Sequence, residues 1–190
     1  MIENTQGKEG LTPLHGLSFF IETDRHKILM DAGPSEQTLI NAGSLGIDPS
    51  EIDLVVLSHG HYDHSGGLLP NASVYSPYMG GYETMWQGSN EPRGDDFYAY
   101  DGPDMGYRYI GIDKLIPHLS SVCPLNGDFK LDDQISLLTV HEQPYPVPAT
   151  NKRLVRKVGE EYLADDFSHE QSLVISSGNK MVLICGCAHN

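Results

Sequence analysis

An apolar run that ends at a cluster of metal-binding side chains limits the possible folds of this chain more than any other feature. The segment "IDLVVLS" (52–58) has the continuous hydrophobicity of a strand buried on both faces. The segment "HGHYDHSGGL" (59–68) follows it directly. A buried strand delivers the next loop to one edge of a sheet, where sites of α/β proteins form. The sequence therefore predicts a layered α/β domain with its site after this strand.

Three histidines and one aspartate lie within six residues of this loop, at His59, His61, Asp63 and His64. The i, i+2 spacing of His59 and His61 puts both imidazoles on one side of an extended loop. Imidazole suits zinc and iron, and carboxylate completes a mixed nitrogen and oxygen site. Because four such close neighbours do not all reach one ion comfortably, we predict two adjacent sites. His59 and His61 hold one ion, and Asp63 and His64 hold the other.

The segments around this motif alternate between strand and helix patterns. Two apolar stretches, "LSFFIETD" (17–24) and "HKILMDAG" (26–33), flank a polar turn and predict a β-hairpin. Apolar residues recur at helical spacing in "PSEQTLINAGSLG" (34–46), where Pro34 suits an early helical position and Gly46 a stop. Further strands are predicted at "ASVYSP", "ISLLTV", "SLVISS" and "KMVLIC", with a hairpin turn at "SGN" between the last two.

Length, charge and cysteine content limit the class of protein. A chain of 190 residues suits one domain, 1–190. Its net charge of -14 repels polyphosphate, so we expect no nucleic-acid partner. No apolar run reaches the roughly 20 residues that cross a bilayer, and the N-terminus lacks a secretory signal pattern. Three cysteines, an odd number, predict reduced thiols and a cytoplasmic location.

A Tyr- and Gly-rich insert is predicted within this domain at residues 75–130. Seven of the ten tyrosines and the single tryptophan lie between residues 75 and 109, with little apolar periodicity. One interpretation is a lid or pocket wall for an organic ligand, with Tyr82 and Trp86 as candidate lining residues. The other is an irregular surface loop that the tyrosines pin down.

The motif and the segments around it resemble a known family. The segment "SHGHYDH" (58–64) is similar to the HxHxDH signature of the metallo-β-lactamase superfamily. Longer stretches, including "DDFSHEQSLVI" and "MVLICGCAHN", resemble its branch of dihydropterin ribofuranosyl-aminobenzene phosphate synthase-like metal-dependent hydrolases. The resemblance implies a four-layer αββα sandwich with the metals at one edge of its two sheets.

The resemblance also implies roles for residues outside the motif. Asp31 matches an aspartate at the end of an early strand, which would either bind a metal or orient the ligands and the metal-site loop. His189 matches a later histidine and is the third imidazole of the metal cluster. Cys187 is either a thiolate ligand or a small buried residue, and Cys185 is expected in the core. His15 also matches the branch and could line the substrate pocket.

An acidic segment before the penultimate strand matches the branch as well. For Asp165, Asp166 and Glu170 the open alternatives are a metal ligand, a general base, a partner for His189, or a cap of the local backbone. His169 and the remaining histidines fit no pattern, and a surface or packing role is the default for them.

Relatives normally continue beyond the "GCAH" motif, so the fold is expected to be short at its C-terminal side. A second copy of the chain could cover the exposed side of the sheet, which predicts a homo-oligomer.

These features predict a metal-dependent hydrolase acting on a small-molecule phosphoester or ester. Two divalent ions, zinc by default and otherwise iron or manganese, activate a water that Asp63 orients. One alternative is a condensation enzyme resembling a pterin-precursor synthase. Another is a truncated, catalytically weak metal-binding or sensor module.

Overall fold

The predicted N-terminal hairpin opens a five-stranded sheet in the computed structural model, which describes residues 1–68, 83–87, 96–116, 122–140 and 145–189. Strands β1 (Phe19–Glu22) and β2 (Lys27–Met30) pair antiparallel, and β2 then pairs parallel with β3 (Leu54–Val56). All three β3 side chains are buried, as expected of a strand inside a sheet. The sheet has the order β1-β2-β3-β4-β7, with β4 (Glu83–Gln87) and β7 (Val122–Leu125) completing it.

Helix α1 (Gln37–Leu45) connects the parallel strands β2 and β3. Gly46 follows it with φ of 74°, a left-handed conformation that glycine adopts without a Cβ clash, and this ends the helix. The helix starts three residues after Pro34, so the prediction of Pro34 within its first turn was wrong. A short helix α2 (Tyr62–Ser65) carries the second half of the HxHxDH motif.

The chain divides into two compact units. The first comprises Met1–Leu57, Tyr62–Trp86 and Ile112–Cys123, and the second comprises Ser58–His61, Gln87–Gly111 and Pro124–Asn190. Apolar side chains from the five-stranded sheet and the segments beside it form the core of the first unit: Leu29, Ala32, Ile52, Val55, Leu57, Leu68, Ile112, Ile116 and Val122.

The second unit contains two antiparallel sheets of four strands. One has the order β11-β10-β5-β6, formed by β11 (Glu161–Ala164), β10 (Leu154–Val158), β5 (Asp96–Tyr100) and β6 (Tyr107–Tyr109). The other has the order β13-β12-β9-β8, formed by β13 (Lys180–Ile184), β12 (Gln171–Ser177), β9 (Ile135–Thr139) and β8 (Phe129–Lys130). A core cluster of this unit contains Phe97, Ala99, Ile110, Leu154 and Phe167.

Most predicted elements in the described residues are confirmed. The first hairpin, α1, β3, β9 and the β12–β13 hairpin all lie where the sequence indicated them. Seven strands were not anticipated: β4, β5, β6, β7, β8, β10 and β11. The segment "ASVYSP" (72–77) and Tyr82 lie outside the described residues, and the division into one domain with an insert at 75–130 stays a prediction. No helix within the described ranges is long and apolar enough to cross a membrane.

Candidate metal centre

Three imidazoles from two distant parts of the chain meet in the second unit. His59, His61 and His189 each offer a ring nitrogen, and these three nitrogens lie within 4.8 Å of one another. His59 Nε2 is 3.0 Å from His61 Nδ1. The His189 ring centre is 5.1 Å from that of His59 and 5.2 Å from that of His61. These residues are called the histidine triad below.

The donor set of the histidine triad fits a divalent metal ion. Two nitrogens bound tetrahedrally to one zinc, at about 2.0–2.1 Å each, lie about 3.3 Å apart, close to the observed His59–His61 separation. His59 and His61 are buried, so their rings are held by surrounding protein. The hydroxyl of Ser58 lies 2.9 Å from His59 Nδ1. A proton on Nδ1, donated to this hydroxyl, leaves the Nε2 lone pair directed at the other imidazoles.

Hydrogen bonds to both its backbone N–H and its backbone carbonyl hold His189 in place. Its backbone N–H donates to Glu170 Oε1 at 2.9 Å, and its carbonyl accepts from Asn151 Nδ2 at 2.9 Å. The ring stacks on Phe167 with 5.1 Å between ring centres and 13° between planes. A histidine near the end of the described chain is thereby ordered against two distant segments.

The acidic segment before β12 divides its carboxylates between interior and surface. Asp165 is buried and lies 3.2 Å from His169 Nε2. Asp166 is exposed and pairs with Arg156 at 2.8 Å. Partial burial alone would raise the pKa of Asp166, but hydrogen bonds from Ser168 and the charge of Arg156 hold it below its usual value. The role of Asp166 as a ligand or ligand partner stays a prediction, as does that of Glu170.

The remaining motif residues lie in the first unit, where Asp31 meets His64. Asp31 Oδ2 is 2.6 Å from His64 Nδ1, and both side chains are almost completely buried. Asp63 Oδ2 lies 3.7 Å from His64 Nε2 and 3.4 Å from His15 Nε2. A carboxylate on Nδ1 fixes the imidazole and directs its other nitrogen away from the carboxylate, as in carboxylate–histidine–metal arrangements. The ligand roles of Asp63 and His64 remain predictions.

Both cysteines near the end of the described chain lie at the surface. Cys185 and Cys187 are both exposed and line one pocket with Ser58 and Glu170. The expectation of Cys185 in the core was therefore wrong, and the alternative of Cys187 as a buried small residue is also wrong. Trp86 belongs to β4. A lining role for Tyr82 and Trp86 stays a prediction.

Sequence reasoning missed one residue beside the triad. His169, left to a default role, is buried and accepts a hydrogen bond from the backbone N–H of Gly60 at 2.9 Å. Its spacing of four residues from Asp165 was the one available signal, and this spacing is common on any helix or turn.

Comparisons with known proteins show what this chain is similar to. A "7,8-dihydropterin-6-methyl-4-(beta-D-ribofuranosyl)-aminobenzene-5'-phosphate synthase" of Methanocaldococcus jannaschii is 46% identical over 60 residues, which are 29% of this chain and 20% of the synthase. The "Uncharacterized protein MJ0448" of the same organism is 27% identical over 100% of this chain and 68% of its own length. The crystal structure of Tm1679, a metal-dependent hydrolase of the beta-lactamase superfamily, matches with a TM-score of 0.70 and 27% identity over 99% of this chain and 64% of that chain.

The chain thus spans about two thirds of the longest-matching relatives, and the synthase match is shorter still. The family model of the metallo-beta-lactamase superfamily matches residues 11–189, nearly the whole chain. The layered α/β fold predicted from the sequence is therefore confirmed, and this chain belongs to the metallo-beta-lactamase superfamily.

Proposed function

We propose that the chain is a metal-dependent hydrolase of a small-molecule phosphoester or ester. The observation that carries the proposal is the histidine triad, whose three ligand nitrogens lie within 4.8 Å of one another. Membership of a superfamily made up mostly of metal-dependent hydrolases supports it. The similarity to Tm1679, a metal-dependent hydrolase, also supports it.

The triad would hold one divalent ion, and Asp63 with His64 would hold a second. Such ions lower the pKa of a coordinated water and polarise the scissile group. Zinc suits the imidazole-rich set best, and iron and manganese are the alternatives. The assignment of Asp63 and His64 to a second ion rests on their position in the HxHxDH motif.

The chain's own residues would supply orientation and proton transfer. Asp31 holds His64 by Nδ1, so Nε2 would be the ring nitrogen that binds an ion. Asp63 would orient the attacking water and accept its proton. The Asp63 carboxylate has His15 Nε2 at 3.4 Å, and the His15 side chain is 75% exposed. His15 is thus placed to pass a proton to solvent.

Metal content and turnover together test the proposal. Purified wild-type chain should contain tightly bound divalent metal and hydrolyse model esters or phosphodiesters, and chelation should abolish turnover until metal is returned. His61→Ala should lower metal affinity or turnover by more than about 100-fold. His26→Ala, which removes a half-buried imidazole 3.5 Å from Asp53, is the matched control and should change neither. Turnover that survives both chelation and His61→Ala would refute the proposal.

A condensation reaction is a second candidate. Its support is the 46% identity over 60 residues to the M. jannaschii synthase. Product analysis with a phosphoribosyl-aromatic substrate separates the two, because condensation joins two reactants and hydrolysis releases two products. The alternative of a weak metal-binding module predicts far less than one tight metal per chain and no turnover. Self-association of the chain is also a proposal, which sedimentation analysis would measure.

A further inference from the structure

Both ring nitrogens of His169 are engaged by the protein. Nδ1 accepts the backbone N–H of Gly60 at 2.9 Å, and Nε2 lies 3.2 Å from Asp165 Oδ2. A ring nitrogen that accepts an N–H carries no proton, so a neutral ring has its proton on Nε2 and donates it to Asp165. His169 and Asp165 are 6% and 5% exposed. A buried hydrogen-bonded chain therefore runs from Asp165 through His169 to Gly60.

Gly60 lies between two members of the histidine triad, His59 and His61. The orientation of the Gly60 N–H is coupled to the backbone conformation of His59 and His61. The Nε2 atom of His59 and the Nδ1 atom of His61 are 3.0 Å apart. The backbone also fits tightly here, because a Cβ on Gly60 would lie 2.8 Å from the Phe97 ring. Movement of this peptide would shift both imidazoles together.

Asp165, at the other end of this series of hydrogen bonds, is also held in place. Asp165 Oδ1 accepts the backbone N–H of Phe167 at 2.9 Å while Oδ2 faces His169. The His169 ring packs on Phe97 with 4.1 Å between ring centres. Two hydrogen bonds and the Phe97 ring thus fix the His169 imidazole. Its bond to the Gly60 N–H in turn fixes the orientation of the Gly60 peptide.

A ligand role for His169 is the main alternative. His61, Asp165 and His169 also offer three atoms within 4.8 Å of one another. However, the bond from Gly60 occupies the lone pair of Nδ1 and leaves the proton on Nε2, so neither nitrogen is available to a metal. The hydrogen bonds therefore favour a role in positioning.

We propose that His169, oriented by Asp165, is a positioning residue that holds the Gly60 peptide so that His59 and His61 face one metal ion. The proposal rests on the proposed function of the histidine triad as a metal site. It assigns no contact between His169 and the metal or the substrate.

Cobalt(II) titration of the full chain tests this proposal, with affinity and the visible absorption spectrum as readouts. His169→Leu removes the acceptor, whereas His169→Asn places an amide oxygen where Nδ1 stood. We expect His169→Leu to weaken the tightest Co²⁺ binding by about 10- to 100-fold and to alter the spectrum. His169→Asn should recover most of the affinity and the wild-type spectrum. His26→Leu serves as the control and should match wild type.

The outcomes distinguish failure of the proposed metal site from failure of the positioning role of His169. If wild type binds no Co²⁺, the proposed function fails and the positioning role fails with it. If wild type binds Co²⁺ and folded His169→Leu matches it, or His169→Asn is no better than His169→Leu, only the positioning role is overturned. Loss of a whole equivalent of Co²⁺ in both variants would make His169 a ligand and overturn it too. Should His169→Leu not fold, ¹⁵N NMR of wild type decides, since a proton on His169 Nδ1 would overturn the proposal and one on Nε2 would support it.

Discussion

Gly67 follows the HxHxDH motif at a place where two backbone segments of the first unit touch. A Cβ built on Gly67 would lie 2.0 Å from the carbonyl oxygen of Ala32, and real Cβ atoms essentially never approach closer than 3.0 Å. The two segments would have to separate by about 1 Å. Two hydrogen bonds join them, from Gly67 N to Gly33 O at 3.0 Å and from Ala32 N to His64 O at 2.7 Å.

The expected cost of Gly67→Ala follows from these contacts. Forcing an extra carbon into a packed site costs about 1–3 kcal/mol. Weakening the two hydrogen bonds adds about 1 kcal/mol in total if each loses half of its net value. We therefore expect the free energy of unfolding to fall by about 2–4 kcal/mol. Because the clash is with backbone atoms, no change of side-chain rotamer relieves it.

Gly43→Ala is the matched control, since a Cβ there meets nothing within 4 Å inside helix α1. It should stabilise the chain by about 0.5–1 kcal/mol, the usual gain from alanine over glycine within a helix. Urea unfolding measures both variants, and an m-value of about 2 kcal/mol per molar puts the Gly67→Ala midpoint about 1–2 M below wild type. A Gly67→Ala midpoint equal to wild type, or equal losses in both variants, would refute the reasoning.

Three further substitutions test other parts of the structure. Asp31→Asn removes the carboxylate charge from the buried bond to His64 and should lower the free energy of unfolding by about 1.5–3 kcal/mol, measured by urea titration. Leu173→Ala empties a fully buried position of β12 and should cost about 2–5 kcal/mol in the same assay. The hydrogen bond from Arg108 lowers the pKa of Asp101, so Asp101 stabilises the fold above about pH 4 and loses this effect as pH falls through its folded-state pKa. Unfolding midpoints of wild type and Asp101→Asn should differ at pH 7 and converge below pH 4.

The elements that could be predicted from the sequence are those with a strong local pattern. Strand β3 is uniformly apolar, and the β12–β13 hairpin has a clear turn signal. Strands β10 and β11 were missed because "LVRKV" and "EYLA" mix charged and apolar residues without a distinctive period. Their order as strands depends on pairing, such as Leu154 of β10 opposite Ala99 of β5, which local patterns do not encode.

In the candidate site too, features with a local sequence pattern were predicted and those that depend on distant residues were not. Residue type and spacing indicated His59 and His61 as ligands, because imidazoles at i, i+2 are a local feature. The hydrogen bond from Gly60 to His169 joins residues 109 positions apart, and no short window of sequence contains both. The sequence also left Asp165 and Asp166 open as equal candidates, because two adjacent aspartates look alike in sequence and only the fold shows that Asp165 is buried and Asp166 exposed.

The HxHxDH segment therefore specifies which groups can bind a metal, while distant segments determine where those groups point. Ser58 O accepts the backbone N–H of Gln171, the first residue of β12, at 2.8 Å, and Gly60 N donates to His169 just before that strand, so both peptides next to His59 are tied to this part of the chain. A free loop would lose conformational entropy on ordering its ligands around an ion, at about 1–2 kcal/mol per residue. Because folding has already ordered these peptides, that cost would not reduce the affinity of the proposed site for a metal. If His59 and His61 bind a metal, the rigidity of their loop would come from these hydrogen bonds within the second unit.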